Sequence, residues 1–555
     1  MFFHKNKIFL SILSGALLWL SWYPYGFSFF IFFGFVPLFF LSDRLLEKKK
    51  GILLWQGIWM SFPAFLIWNL GVTWWIWNST PSGAVAAIVL NAFFMSSFFG
   101  MWHWMKSTNL PKITTSLAFI ALWCAWEFLH LQWQLAWPWL NLGNVFAAQH
   151  KLVQWYEYTG TFGGTIWVLM VNFLIYSFIQ SFKSNKRIHI LSNLRSLQTK
   201  ITFTVIILTL IVPISISLII YKTYTVKQEN GIETVIVQQN IDPWTEQFNS
   251  SNFEIAELLI QVASEKITSE TELIICSESA LPHNINEAQF YDTAIYPPSF
   301  LLLDTLLQEH PQLNLVIGLS TIAVFDTKVS SVARKYADSV FVIFYNTSCL
   351  YNKNEIELYR KSKLVPGVEK MPYPKIFWFL ENLAIDLGGT SGSLGIDTKQ
   401  RAFRANTKQG IVKVGVPICY ESVFGELFSR FVLHGAQLMC VITNDAWWGN
   451  TPGYKQHFEM SRLRAIETRR PILRAANTGI SAFIDPLGNA KQKTQYEERI
   501  AISQVVFPND KITFYSRYGD YLARIMVGIT ALILVSTILK KIRYLPFRKT
   551  KKCND

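Results

Sequence analysis

Three polar residues of different chemistry stand where apolar runs end. The run Glu272-Leu-Ile-Ile-Cys-Ser-Glu-Ser-Ala-Leu-Pro282 places Glu278 just past an apolar strand. The run Tyr359-Arg-Lys-Ser-Lys-Leu-Val-Pro-Gly-Val-Glu369 places Lys361 ahead of a short apolar segment and a turn. The run Val414-Gly-Val-Pro-Ile-Cys-Tyr-Glu421 ends a strand at Cys419, just before a helical stretch. A carboxylate, an amine and a thiol are the groups of a nucleophilic site. A free thiol, with a pKa of about 8.5, is only a few per cent thiolate at neutral pH and needs a base. Taken singly, each residue is ordinary. A Glu or Lys in a loop is usually solvated, and a Cys closing an apolar strand is more often a small core residue than a nucleophile. Composition by itself does not find this site.

The elements that must position these groups lie between residues 225 and 515. Candidate strands are Thr234–Gln238, Leu273–Cys276, Leu315–Leu319, Val340–Tyr345, Val412–Ile418 and Leu438–Thr443. Helical patterns cover Phe253–Thr268, Ser299–Gln308 and Ser422–Leu433, and the mixed polar stretch Lys328–Lys335 reads as a loop. Continuous β-branched runs alternating with helices predict α/β layering, with sheet faces covered by helices. In such folds the loops beyond strand ends commonly hold the ligand. No internal repeat or low-complexity tract interrupts this pattern.

Outside that region the chain is far more apolar. Half of all residues are hydrophobic and 15% are aromatic. Eight apolar stretches approach the length of about 20 residues that a spanning helix needs: 8–24, 27–42, 53–77, 83–105, 114–134, 163–182, 202–221 and 521–539. The first reads as an uncleaved helix, because more spans follow it and no small-residue cleavage site stands out.

Charge sets the sidedness. Residues 1–221 hold 14 Lys and Arg against 4 Asp and Glu, and residues 521–555 hold 8 against 1. The middle holds 29 against 32, so the overall charge of +14 belongs to the flanks. The basic clusters at 4–7, 48–50, 106–112, 183–200 and 540–552 fall on every second connection, and the alternate loops carry almost no Lys or Arg. The positive-inside rule then puts both termini in the cytoplasm and the large domain on the other side. This layout assigns the basic flanks to a membrane surface rather than to nucleic acid.

Trp22, Trp74, Trp75, Trp77, Trp137 and Trp139 crowd the outer ends, where aromatic residues form interfacial belts. Ala136–Trp155 is too polar to span and is expected in the outer interface beside the large domain. Inside the spans Glu127, His103 and His130 are the ionisable residues that a transport pathway would need; Glu127 reads equally as a helix-packing residue. The six Cys, at 124, 276, 349, 419, 440 and 553, show no CxxC and no His-paired metal spacing, so neither a zinc site nor a disulfide framework is expected.

Taken together, in this order and spacing, the three runs resemble the Glu–Lys–Cys site of the nitrilase (carbon–nitrogen hydrolase) superfamily. With the membrane flanks, the chain resembles the apolipoprotein N-acyltransferases along nearly its whole length. The most specific words are Leu364-Val365-Pro366 followed by Glu369, Ile418-Cys419-Tyr420-Glu421, and Asn444-Asp445-Ala446-Trp447-Trp448-Gly449. Gln456-His457, the segment from Arg462 to Pro471, and Arg474 with Asn477-Thr478-Gly479 agree too. So do Gly71-Val-Thr-Trp74, Pro138-Trp139-Leu140 and Gly143-Asn144 in the membrane part. Two departures leave the reactive groups in place: Ser277 stands where the family usually has Pro, and Gly367-Val368 replaces a Phe-Gly pair. Either Trp244 or Phe248 fills the family's aromatic position after Gln239-Asn240-Ile241.

The resemblance implies a multi-pass α-helical membrane domain of about eight spans and an extracytoplasmic α/β nitrilase-like α-β-β-α sandwich. The expected division is 1–224, 225–515 and 516–555, in a bacterial inner membrane. The implied reaction moves an acyl chain from a membrane phospholipid to the α-amino group of a diacylglyceryl-modified apolipoprotein, with no cofactor. Glu278 is the implied base, Cys419 the nucleophile, and Lys361 with the Tyr420 backbone N–H the oxyanion hole. Glu278 in a low-dielectric pocket is expected to have a raised pKa. Glu369 is expected to orient Lys361, and Tyr420, Glu421 and Trp447 to line the site. The Asn444–Gly453 loop is expected to act as a lid or to dock on the bilayer. Two other readings stand: a membrane-tethered amidase that hydrolyses a small amide, and a non-catalytic receptor or transporter.

Overall fold

A computed structural model of the chain describes residues 6–48, 52–108, 110–184, 197–247, 249–292, 294–374 and 393–543. Parts of the basic clusters at 4–7, 48–50, 183–200 and 540–552, together with Phe248 and Cys553, lie outside the described residues.

Among the described residues six helices are long and apolar enough to cross a membrane: Ser28–Glu47, Pro81–Lys106, Lys112–Gln132, Tyr156–Phe182, Thr199–Thr223 and Tyr521–Ile542. Two of the eight expected stretches differ. The stretch at 8–24 is helical only over Lys7–Leu20, 14 residues, because the chain turns at Ser21. The stretch at 53–77 gives a 21-residue helix, Leu53–Thr73, which carries Gln56, Pro63, Asn69 and three Trp and is not among the six. The bundle core is aromatic: the Phe39 and Phe173 rings stack at 4.1 Å, and Phe119 meets Phe39 edge-on.

Glu127 is fully enclosed in this core. Its carboxylate accepts from Leu142 N and Thr165 Oγ1, each at 2.7 Å, and from Trp123 Nε1 at 3.1 Å. It ties two helices to the Ala136–Trp155 segment, as a packing residue does. The expected aromatic belt is only partly formed. Trp74 and Trp77 are exposed, whereas Trp22, Trp75 and Trp139 are buried. The buried ones are covered by protein rather than lipid: Trp75 and Trp139 face the α/β domain through Gln456 Oε1, at 3.3 and 2.8 Å.

The rest of the chain forms two sheets between helices. The first runs in the order Ile500–Val506, Ile232–Gln238, Thr271–Ile275, Asn314–Phe325, Val340–Asn352, Arg334–Ala337, with Leu281–Asn286 and Ile356–Arg360 pairing beside this path. The second runs Ala490–Lys491, Ala482–Ile484, Ile472–Ala476, Leu438–Thr443, Gly410–Gly415, Ala402–Thr407. Alternation along the strands divides the two cores. Ile236, Leu273, Ile275 and Val316 face the second sheet and meet Val414, Met439 and Val441. Val235, Val237, Ile274 and Ile317 face the other way and pack on helices Asn252–Ser264 and Pro298–Glu309. Helices Gly425–Leu433 and Pro452–Thr468 cover the far side of the second sheet, through Phe428, Phe431 and Phe458. The result is the expected α-β-β-α sandwich.

Membrane bundle and sandwich share a core. Tyr420, Val423, Phe424, Met460, Leu463 and Ile466 of the sandwich pack in the same cluster as the bundle aromatics. The 3₁₀ segments Pro138–Leu140 and Leu142–Leu152 lie at this seam, beside the α/β domain. Arg334 and Lys335, read as loop, begin a short edge strand paired with Val342 and Phe341.

Candidate active site

Each of the three groups sits within a few residues of the end of a strand of the sandwich. Glu278 follows Thr271–Ile275, Lys361 follows Ile356–Arg360, and Cys419 opens a 3₁₀ turn, Cys419–Val423, after Gly410–Gly415. The structure brings all three together. Lys361 Nζ lies 3.0 Å from Glu278 Oε1 and 2.8 Å from Glu369 Oε1. Asn346 Nδ2 bridges the same two oxygens, donating at 2.8 and 3.0 Å. The remaining carboxylate oxygens are held by backbone: Asn444 N donates to Glu278 Oε2 at 3.0 Å, and Val365 N to Glu369 Oε2 at 2.8 Å. Lys361 is 1% exposed. Two carboxylates around one buried ammonium fix its position on both sides.

Electrostatics follow from this packing. Burial alone would pull the Lys361 ammonium down, but the Glu278 and Glu369 carboxylates override it and hold its pKa well above the ordinary value. Burial pushes the Cys419 thiol well up, and the Glu278 charge adds to this; Lys361 opposes both without cancelling them. At neutral pH Cys419 is therefore a thiol beside a carboxylate, and it reacts only as its proton leaves.

Backbone conformation at Cys419 is unusual. Its φ of +47° lies in the left-handed region, which costs a non-Gly residue about 1–3 kcal/mol and persists only where its surroundings over-determine it. Here Ser422 Oγ donates to Cys419 O at 2.6 Å and lies 3.0 Å from His457 Nε2. His457 Nδ1 in turn meets Asp445 Oδ1 at 2.9 Å, and Arg474 Nη2 donates to Asp445 Oδ2 at 2.7 Å. Burial would raise the Asp445 pKa, but Arg474 and His457 hold it at about 2. This buried ionic chain fixes Cys419 on one side, and through Asn444 it reaches Glu278 on the other.

Glu421 plays a different part from the one its sequence position implied. It is fully buried and lines neither cavity at the site. Its Oε1 accepts from Tyr359 Oη and Ser362 Oγ at 2.6 Å and from Ser362 N at 2.8 Å, while Oε2 accepts from Ile418 N at 2.9 Å. It thus ties the residue after Lys361 to the residue before Cys419, so it positions both and faces no substrate. Burial raises its pKa against these donors.

Two cavities meet at Cys419. The first, of about 170 Å³, is bounded by Glu278, Asn346, Lys361, Glu369, Asn444 and Trp447. The second, of about 270 Å³, leaves Cys419 toward the helical bundle. It runs between Gly83, Ala86, Ala87, Leu90 and Phe94 of helix Pro81–Lys106 and the Val365–Pro372 loop of the sandwich. Tyr420 lines this second cavity, with its hydroxyl donating to Ala136 O at 2.7 Å. Trp447 stands at the first, with Trp244 packed edge-on against it at 4.9 Å. Its neighbour Trp448 borders both cavities and packs on Trp75 and Trp139 at 4.7 and 5.8 Å. The Asn444–Gly453 loop is therefore docked on the bundle, within reach of Cys419.

Gly318 matters here for want of space. A Cβ at this strand position would sit 2.5 Å from Ser277 O and 2.7 Å from the Glu278 Cα. Gly318→Ala is expected to displace Glu278, lowering Cys419 acylation at least tenfold and costing about 1–3 kcal/mol of stability, as overpacking does. Acylation kinetics and thermal unfolding of the purified variant check this.

Asn346 was not found from sequence. The strand Val340–Asn352 was read only to Tyr345, because Asn346-Thr347-Ser348 breaks its apolar run. That polar triplet inside a strand was the available signal. Ser422, Asp445, His457 and Arg474 had no role assigned either, although three of the four lie within the family's words.

Residues 235–509 match the family model for carbon–nitrogen hydrolases, and residues 14–174 match the model for the apolipoprotein N-acyltransferase N-terminal domain. Along its length the chain is similar to the apolipoprotein N-acyltransferase of Chlorobaculum tepidum, 26% identical over 550 residues and covering 97% of each chain. It is 28% identical to that of Rickettsia prowazekii over 566 residues, 97% of this chain and 99% of the relative. With that of Geobacter metallireducens the identity is 24% over 561 residues, 97% and 96% of the two chains.

Proposed function

We propose, for a chain that belongs to the apolipoprotein N-acyltransferase family, that it moves a fatty acyl chain from a membrane phospholipid, through a Cys419 thioester, to the α-amino group of a diacylglyceryl-modified apolipoprotein. We take 1–224 and 516–555 as the membrane parts and 225–515 as the catalytic domain. Loop charge supports a place in the bacterial inner membrane with both termini inside and this domain outside.

The reaction divides into two steps. Glu278 takes the Cys419 proton as sulfur attacks the ester carbonyl carbon. The tetrahedral oxyanion is stabilised by the Lys361 ammonium and the Tyr420 backbone N–H. When the C–O bond breaks, Glu278 returns the proton to the glycerol oxygen, and a lysophospholipid leaves. Glu278 then accepts a proton from the incoming α-ammonium, whose ordinary pKa of about 7.7–8.0 makes it easy to deprotonate. The amine attacks the thioester, Glu278 passes its proton to Cys419 as the C–S bond breaks, and the second proton of the attacking nitrogen leaves to solvent as the amide forms. Glu369 and Asn346 keep Lys361 and Glu278 in register through both steps.

The observation that carries this reading is the second cavity. An acyl donor needs an apolar path from the bundle to the nucleophile, whereas a small-amide hydrolase needs only the polar cavity. Glu127, held by three donors, gives no support to a transport pathway. Ala87→Trp, which fills the apolar cavity, is expected to lower Cys419 acylation by phospholipid about tenfold or more, equivalent to 1.4 kcal/mol of lost binding. Acylation by a small water-soluble ester, reaching Cys419 through the polar cavity, is expected to fall less. Equal losses for both donors, or full activity with phospholipid, would speak for the amidase instead.

A further inference from the structure

The peptide unit between Cys419 and Tyr420 joins two atoms with linked tasks. A peptide is planar and trans, so its C=O and N–H point in opposite directions. The N–H of this unit is the Tyr420 N–H proposed to meet the oxyanion. Its C=O is Cys419 O, and whatever holds that oxygen aims the N–H on the far side. A side chain holds it: Ser422 Oγ donates to Cys419 O at 2.6 Å. A carbonyl only accepts, so the single hydroxyl hydrogen of Ser422 goes into this bond. The hydroxyl oxygen also lies 3.0 Å from His457 Nε2. The His457 ring is set in turn by Asp445 Oδ1 at 2.9 Å and by the Trp139 and Trp448 rings at 5.8 and 5.6 Å. Ser422, His457 and Asp445 are all buried, so water does not compete for the hydroxyl. Their order is that of a Ser–His–Asp triad, yet Ser422 lines neither cavity and gives its hydrogen to backbone. It therefore acts through the peptide unit and not on a substrate.

We propose that Ser422, held in place by His457, is a positioning residue for the oxyanion hole, orienting and polarising the Tyr420 N–H through the peptide unit they share. This deepens the acyltransferase reading and rests on it. Two physical effects are at work. The first is direction: Cys419 has a φ of +47°, a strained conformation that lasts only where its surroundings enforce it, and the Ser422 bond is part of that enforcement. The second is polarisation: a hydrogen bond accepted by the C=O strengthens the N–H of the same unit as a donor, as linked hydrogen bonds do in a low-dielectric interior. Both effects bear on the tetrahedral oxyanion. Neither bears on the ionisation of the Cys419 thiol or on binding of the intact donor.

Two reactions at the same sulfur separate these tasks in the purified full-length protein. Acylation by phospholipid passes through an oxyanion; alkylation by iodoacetamide, in which the sulfur displaces iodide from a saturated carbon, does not. Ser422→Ala is expected to lower the single-turnover acylation rate at saturating phospholipid about tenfold, part of the roughly 10²–10³-fold that a wholly lost donor costs. The half-saturating phospholipid concentration is expected to stay unchanged, as for an interaction made only in the transition state. Alkylation of Cys419 in the same variant is expected to stay within about twofold of the wild type, because thiol reactivity follows ionisation and Ser422 carries no charge. His457→Gln leaves the Ser422 hydroxyl but removes the ring beside it, and is expected to show the same split at smaller size. It carries the test if Ser422→Ala loses its cooperative thermal unfolding. Acylation at the wild-type rate in either folded variant would overturn the proposal. So would equal losses of acylation and alkylation, the mark of a merely structural role, or a loss seen only as a raised half-saturating concentration. Failure of the acyltransferase reading shows separately, as the absence of a Cys419 acyl adduct on the wild type.

Discussion

Replacing Glu278 by Gln is expected to stop acylation of Cys419 and, in the same protein, to make its thiol easier to alkylate. The two effects have one cause. Glu278 is the only carboxylate of the site proposed to take the thiol proton, and general-base catalysis is worth about 10²–10⁴-fold. Yet the Glu278 charge also opposes the thiolate, adding to the burial that pushes the Cys419 pKa well up. Glu278→Gln keeps the size of the side chain and removes both the basicity and the charge. The thiol pKa then falls toward its ordinary value, although burial still holds it above. Sign fixes the readout: a group whose pKa is lowered is more fully ionised at any given pH. The alkylation profile of Cys419 with iodoacetamide is expected to move to lower pH, while phospholipid-dependent acylation falls 100-fold or more, within the range of a lost base. Normal acylation kinetics would exclude Glu278 as the base. An unmoved alkylation profile would show that its charge does not reach the sulfur.

Lys361→Met has the second large effect, and it acts twice. The ammonium is proposed to meet the oxyanion, and losing one such donor costs about 10²–10³-fold in rate. It also separates two carboxylates, whose Oε1 atoms lie 3.0 and 2.8 Å from it. Without the cation Glu278 and Glu369 repel, one of them takes up a proton, and the base is compromised. Breaking a buried ion pair from one side typically costs about 3–5 kcal/mol of stability. Adding Glu369→Gln to Lys361→Met removes one of the two negative charges. The double variant is expected to regain much of the thermal stability while acylation stays at least about 100-fold down. Recovery of acylation together with stability would assign Lys361 a purely structural role.

What the sequence made legible and what it hid follow from how each element is buried. Leu438–Thr443 was read end to end, because a strand covered on both faces is apolar throughout. Val412–Ile418 runs past the continuous ladder, which ends at Gly415; beyond it only a single bridge from Ile418 to Ile442 remains before the turn that carries Cys419. Helix Pro452–Thr468 was not read at all. It is buried on every side, yet Gln456, His457, Glu459, Arg464 and Glu467 face polar partners inside the protein, so no apolar stripe marks it. The triad was found only as a joint pattern, since each member alone is unremarkable. Its geometry depends on residues that no pattern pointed to, Asn346 between the carboxylates and Ser422 under Cys419. The second cavity was the least legible feature. Its walls come from Gly83, Ala86 and Ala87 in one segment and from Val365–Pro372 about 280 positions later, and small residues in a membrane helix read as packing.

The central claim is that Cys419 carries the acyl group between lipid and amine. Its most direct test is the mass of the peptide containing Cys419 after the purified protein has been incubated with a defined phospholipid and no acceptor. The wild type is expected to gain the mass of one acyl chain on that peptide, and to lose it again when a diacylglyceryl-cysteine peptide with a free amino group is added. Cys419→Ala is expected to show no such gain. No adduct on the wild type, or an equal adduct on Cys419→Ala, would contradict the claim.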